Sequence, residues 1–130
     1  MMETFGNEEL LKQKKVGFLA SRKISSLSIL PTLDWATEVS KREDIAVVSG
    51  FHSKMEQNVL EILLKGQCGI IVVLARGMYR KLPKQYEEAM SQNRLLIISY
   101  EKDNVKRVSE QTAHKRNKFV REIADEMMQL

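Results

Sequence analysis

The sequence predicts an open α/β domain: a parallel sheet of about four strands with helices on both faces. Three observations predict it. Four short runs rich in β-branched and aliphatic residues are apolar without alternation, the pattern of strands covered on both sides. Segments with helical spacing separate them, so strand and helix alternate along the chain. The length, 130 residues with 43% hydrophobic and 29% charged, matches one domain with its own core.

In chain order, the first dozen residues are expected to form a loosely held helix. The first strand is VGFLAS, Val16 to Ser21. A helix is expected over 33–42, followed by the strand IAVVSG, Ile45 to Gly50. Over 53–65, Met55, Val59, Ile62 and Leu63 fall on one helical stripe, and Gly66 marks the stop. The third strand is GIIVVLA, Gly69 to Ala75; Pro83 then announces a helix over 84–92. LLIISY, Leu95 to Tyr100, is the fourth strand. A last helix is expected over 113–128, with Phe119, Val120, Ile123, Ala124 and Met127 on its apolar stripe. No internal repeat, low-complexity tract or second domain interrupts the pattern, so residues 1–130 read as one unit.

Composition narrows the class. The formal net charge is +4 and the sequence pI about 9.2, an excess compatible with a polyanionic partner and with an ordinary soluble protein alike. The single Cys68 has no partner for an intrachain disulfide and sits ahead of an apolar run, where small buried thiols are common. The apolar runs are too short to span a bilayer, and the acidic start (Glu3, Glu8, Glu9) is unlike a signal peptide. A cytoplasmic protein with no membrane partner is expected.

Charge placement says more than net charge. In an open parallel sheet, ligands bind where the strand carboxyl ends feed into loops. Those loops and first helical turns carry Arg22 and Lys23, Lys54, then Arg76, Arg80, Lys81 and Lys84, then Lys102, Lys106 and Arg107. Asp34, Glu56, Glu101, Asp103 and Glu110 oppose them, whereas the other edge is nearly balanced among Lys41, Arg42, Glu43, Asp44, Lys65 and Arg94. A cationic edge beside helix N-termini attracts phosphate by two mechanisms, point charge and free N–H groups. Arg22, planar and always charged, suits a bidentate grip; the competing expectation for it is a salt bridge to a carboxylate such as Glu56. Ser49-Gly50 allows close backbone approach of a phosphate, and equally a tight turn that needs Gly.

Neither GxxxxGK[ST] nor GxGxxG is present. His52 and His114 are the only histidines, and with one cysteine they offer no metal site. Ser21 and Ser49 lack a base suited to nucleophilic catalysis apart from His52, a near neighbour of Ser49 without triad logic. No catalytic residue and no cofactor are expected.

Together VGFLASRK, VVSG, GIIVVLARGM, YRKLPKQY, LLIISYE and AHKRNKF, in that order, resemble the Rossmann-like domain of the DNA-processing protein A (DprA/Smf) family. Its pattern is a strand ending GSR, a strand ending SG-x-ArGID, VLG-x-GiD, YP, SE and F-x-x-RNR. The resemblance covers about residues 16–123. It implies a single-stranded-DNA-binding domain within a wider Rossmann-like superfamily. By position, Ser21 and Arg22 match GSR, Ser49 and Gly50 the SG, Gly77 the third motif, Pro83 the YP, and Arg116 and Asn117 the RN. Ala20 replaces the first Gly of GSR, Lys118 the last Arg of RNR, and His52 to Glu56 stand where ArGID would be, with Lys54 the nearest charge. The family continues with further strands and usually a winged helix, so the sheet edge next to the last helix is expected to be covered by that helix or by a second copy. The related phosphoribohydrolases carry PGGxGTxxE, which has no counterpart here.

The leading expectation is therefore a non-enzymatic domain that holds single-stranded DNA by its phosphates at the strand-end edge. Its site is Ser21, Arg22, Lys23, Ser49, Gly50, Lys54, Arg76, Gly77, Arg80, Lys81, Arg116 and Asn117, with Tyr79, Tyr86 and Tyr100 as candidate stacking partners. The alternatives are a small-nucleotide sensor or hydrolase using the same phosphate site, and a degenerate domain kept for assembly as a homodimer through the open sheet edge.

Overall fold

The structure, a computed structural model, describes residues 2–130. Six strands form one sheet: β1 (Glu3–Gly6), β2 (Lys14–Leu19), β3 (Ile45–Ser49), β4 (Gly69–Leu74), β5 (Leu95–Ser99) and β6 (Glu126–Gln129), in the order β1-β5-β4-β3-β2-β6. β2 to β6 run parallel to one another and β1 is antiparallel to β5. The four helices are α1 (Ile29–Ser40), α2 (Lys54–Leu64), α3 (Glu87–Ser91) and α4 (Glu110–Ile123).

The four central strands fall on the four apolar runs, and their residues are buried on both faces from Val16 onwards. Topology explains which helix covers which face. The chain steps from β2 to β5 in one direction, and right-handed crossovers then place α1, α2 and α3 on the same side. There Phe18, Ile45, Val47, Ile70, Val72 and Ile97 meet Ala36, Val59, Leu63 and Ala89. From β5 the chain must return across the sheet to β6, so α4 lies on the other side, where Val120 packs on Val48, Ile71, Val73 and Ile98. Phe18, fully buried and stacked on Trp35 at 5.3 Å, anchors the first face; truncating it to Ala would cost about 3–5 kcal/mol.

Helix boundaries follow local chemistry. Pro31 sits in the first turn of α1, where no intrahelical donor is lost. Ser53 and Glu56 form a reciprocal capping box on α2, and Ser109 and Thr112 do the same on α4. The guanidinium of Arg94 donates to the carbonyls of Leu63, Leu64 and Cys68, closing the C-terminus of α2.

Two expectations are corrected at the ends. Of the first dozen residues, the described ones, 2–12, hold no loose helix but edge strand β1 and a 3-10 helix, Glu8–Lys12, pinned by buried Leu10. The last helix stops at Ile123, five residues short of the expected end, and the chain turns extended at Ala124 to form β6. Asp125 N–H donates to Lys15 O at 2.7 Å, while the Asp125 carboxylate accepts from Lys15 N–H at 2.7 Å. Those bonds outweigh the helical stripe that continues to Met127. The edge beside β2 is thus covered by the chain's own β6, neither by the last helix nor by a second copy. No helix among the described residues is long and apolar enough to cross a membrane.

Candidate functional site

At the carboxyl edge an open groove of about 840 Å³ lies between the N-terminal halves of α2 and α4. β2 delivers Ala20, Ser21 and Arg22 to it, α2 delivers Lys54, and α4 delivers His114, Arg116 and Asn117. Arg22 and Lys54 are exposed and Arg116 is buried. The expected salt bridge from Arg22 to Glu56 does not form. Glu56 is 3% exposed, and its carboxylate accepts from three backbone amides: Ala20 at 3.0 Å, His52 at 2.8 Å and Ser53 at 3.2 Å. One side chain thereby ties the end of β2 to the loop after β3. It also fills with a protein carboxylate the amide cluster that a phosphate would otherwise meet at the start of α2.

Arg116 is the second buried charge. Its Nε donates to the side chain of Asn117 at 3.2 Å, and the guanidinium lines both the groove and the depression beside it. Burial pulls its pKa below the ordinary arginine value, and the Glu56 charge pulls it back up; it stays cationic throughout the physiological range. Gly50 makes its seat. A Cβ on residue 50 would lie 2.6 Å from Arg116 Cζ and closer still to Nε and Cδ, so only glycine lets the guanidinium cross the backbone there.

The remaining expected residues divide by position. Ser49 is fully buried, and its hydroxyl accepts from Phe51 N–H at 3.0 Å, bracing a loop in which Phe51 has φ +49°. Ser21 is exposed, its hydroxyl donating to Lys23 O at 3.0 Å, and Lys23 is exposed beyond the groove. Gly77 packs against the next loop: a Cβ there would sit 2.6 Å from Lys102 O. Arg76, Arg80 and Lys81 gather in a separate hollow after β4, where the Arg76 guanidinium lies 5.0 Å from the Tyr79 ring centre. Of the three tyrosines, Tyr79 is partly exposed. Tyr86 is buried, with burial raising its phenol pKa, and Tyr100 meets Phe119 edge-on at 4.5 Å. Tyr86 is therefore unavailable as an exposed stacking platform.

Sequence reasoning placed Glu56 among the opposing surface charges and missed that it is buried. It treated Gly50 and Arg116 as separate phosphate contacts, whereas the glycine is the floor on which the arginine rests. The signal available was Ser53 and Glu56 in capping-box spacing.

The ion pairs sort by edge. Among the described residues, Lys12–Glu9, Lys14–Glu126, Lys15–Asp125, Lys41–Glu38 and Arg42–Asp44 all lie at the amino edge of the sheet. At the carboxyl edge only Lys115–Glu101 forms. The cations of the groove and of the hollow, Arg22, Lys54, Arg76, Arg80 and Lys81, have no carboxylate partner among the described residues.

The family profile described as DNA recombination-mediator protein A matches residues 2–129. Among solved structures, DNA processing protein A from Streptococcus pneumoniae superposes with a TM-score of 0.74 at 18% identity, over 98% of this chain and 45% of that one. The Helicobacter pylori protein, solved to describe its single-stranded DNA binding mode, superposes with a TM-score of 0.74 at 22% identity, over 98% of this chain and 59% of that one. This chain thus spans about half the length of these solved proteins. No curated protein matches it.

Proposed function

The chain belongs to the DNA recombination-mediator protein A family, and from that premise we propose that it binds single-stranded DNA through phosphates at the carboxyl edge of its sheet, as a non-enzymatic holder of the strand. The observation that carries the proposal is the set of unpaired cations facing one groove: Arg22 and Lys54 exposed, Arg116 buried with a single polar partner. Cations that serve only solubility are free to find carboxylates, as Lys14, Lys15, Lys41 and Arg42 do at the opposite edge. Here Glu56, the nearest buried carboxylate, is committed to backbone amides, so the arginines stay free for an incoming anion. Ser21 and Asn117 supply further polar groups at the groove wall.

A second reading, a small-nucleotide site, draws support from the neighbouring depression of about 290 Å³, walled by Phe51, Leu60, Leu74, Tyr79 and Tyr86. Strand length separates the two. Single-strand binding strengthens with oligonucleotide length and weakens steeply with salt, whereas a nucleotide sensor is stabilised by mononucleotide without length dependence. Fluorescence anisotropy with labelled oligothymidylates across a salt series, on wild type and Arg22→Ala, tests the proposal. Absence of binding at low salt would overturn it. The assembly alternative, two copies pairing through the outer edge of β6, is checked by sedimentation of the same samples.

A further inference from the structure

The chain has two histidines, His52 and His114, and both line the groove between α2 and α4. They reach it from different elements. His52 follows the end of β3, next to Phe51 with its φ of +49°. Its N–H donates to the Glu56 carboxylate at 2.8 Å and its carbonyl accepts from the Gln57 side chain at 2.7 Å, so its backbone is held on both sides. His114 stands in the second turn of α4, behind the Ser109–Thr112 capping box. Both residues are exposed, and among the described residues neither imidazole makes a hydrogen bond or a salt bridge. The charges that share the groove come from three elements: Arg22 from the loop after β2, Lys54 and Glu56 from α2, and Glu110 and Arg116 from α4. His52 also lines the neighbouring depression, where Glu61 and Arg76 add one charge of each sign and the phenols of Tyr79 and Tyr86, both pushed up by burial, stay neutral. Three cations against two carboxylates give the groove lining a formal charge of +1, and protonating both imidazoles takes it to +3. Histidine is the side chain whose charge ordinarily changes between about pH 5 and 8. The one thiol, Cys68, is buried elsewhere and pushed up to about 11.

We propose that His52 and His114 are proton-dependent phosphate contacts of this groove, so that strand binding takes up protons and tightens as pH falls from about 8 to about 5.5. The inference rests on the reading of the groove as a single-strand site and adds the condition under which its grip changes. A neutral imidazole offers a phosphate one N–H donor and no charge, whereas the imidazolium offers two donors and a charge. A phosphate lying between α2 and α4 therefore favours the protonated form of both rings, and by linkage each proton taken up favours the bound strand. Arg22, Lys54 and Arg116 hold their charge across this range and supply the grip that remains when both imidazoles are neutral.

The probe is a labelled oligothymidylate of about 16 nucleotides, titrated by fluorescence anisotropy at about pH 8 and about pH 5.5. The proteins are wild type and the double variant H52Q/H114Q, whose changes lie at exposed positions. Wild type is expected to bind about tenfold more tightly at the acid end, and the double variant about twofold or less. The log–log salt slope of wild type is expected to steepen by about 1.4 units over the same range, two contacts at about 0.7 each. Carboxylates that begin to protonate at the acid end act equally in both proteins. Nuclear magnetic resonance gives a second readout: each imidazole has its own ring signal, and both titration midpoints are expected to rise when the strand is bound. An equal ratio of acid to alkaline affinity in the two proteins, or midpoints that stay in place in strand-bound wild type, would overturn the inference and leave the groove standing. Absence of wild-type binding at both pH values would overturn the groove reading, and this inference with it.

Discussion

Both edges of the sheet carry basic residues, the carboxyl edge more of them, and they use them in opposite ways. At the amino edge Lys14 and Lys15 bind the carboxylates of Glu126 and Asp125 and so hold β6 against β2, and the Arg94 guanidinium is spent on the carbonyls of Leu63, Leu64 and Cys68. At the carboxyl edge the buried carboxylate is turned inward onto amides, and Arg22, Lys54, Arg76, Arg80 and Lys81 have no carboxylate partner among the described residues. Paired charge at an exposed edge fixes geometry and contributes little free energy. Unpaired charge of one sign contributes nothing to the fold and raises the local potential felt by a polyanion. Under the function proposed above, the difference separates an edge that serves as scaffold from one that would receive the ligand.

The sharpest way to break this comparison is to remove Glu56. Glu56→Ala leaves three backbone amides without their acceptor, and is expected to cost about 3–5 kcal/mol of stability in urea denaturation. A loss below about 1 kcal/mol would show that water takes over the carboxylate's role. Gly50→Ala follows: the added methyl meets only the outer atoms of the Arg116 side chain, which can move, so the expected stability cost is about 1 kcal/mol or less, with weakened DNA binding as the guanidinium is displaced. Arg22→Ala should leave stability within about 0.5 kcal/mol while lowering single-strand affinity about tenfold, the worth of one charge-assisted contact. A fall in stability equal to the fall in binding energy would move Arg22 from ligand surface to scaffold.

Acid probes the other edge. The Lys15 N–H, and then the Lys15 charge, hold the Asp125 carboxyl below the usual carboxylate range. A depressed folded-state pKa means that its contribution is present above the unfolded value, about 3.9, and is lost as pH falls through the folded one. Asp125→Asn should therefore lower Tm at neutral pH, with the gap to wild type closing in acid; a gap of constant size would show that the carboxylate is not the anchor of β6. The smallest expected effect is that of Lys41→Ala at the amino edge, which should change neither DNA affinity nor its salt slope.

The sequence's legibility follows the same division. The four central strands announced themselves because each must be apolar on both faces, a condition composition alone can satisfy. β1 and β6, ETFG and EMMQ, are short edge strands that exist by pairing with a neighbour, and Met127 fits a helical stripe as well as a strand. For the site, the cationic loops were readable from strand order, since every loop after a parallel strand reaches one edge. The seat of Arg116 on Gly50 and the grip of Glu56 on Ala20 join residues 66 and 36 positions apart, and no local pattern encodes them.

Strand direction has a practical consequence for anyone handling the protein. Because β1 runs antiparallel, Glu3 pairs with Ser99, and because β6 runs parallel, Leu130 N–H donates to Leu19 O; residues 3 and 130 therefore both lie at the carboxyl edge, on opposite flanks of the sheet. Glu3 itself lines the hollow after β4. An affinity tag joined just ahead of Glu3 would start at the mouth of that hollow, and one joined after Leu130 would start next to the end of β2. A polyhistidine or acidic tag left in place would alter the potential being measured, so binding titrations belong on protein from which tags at either end have been cut away.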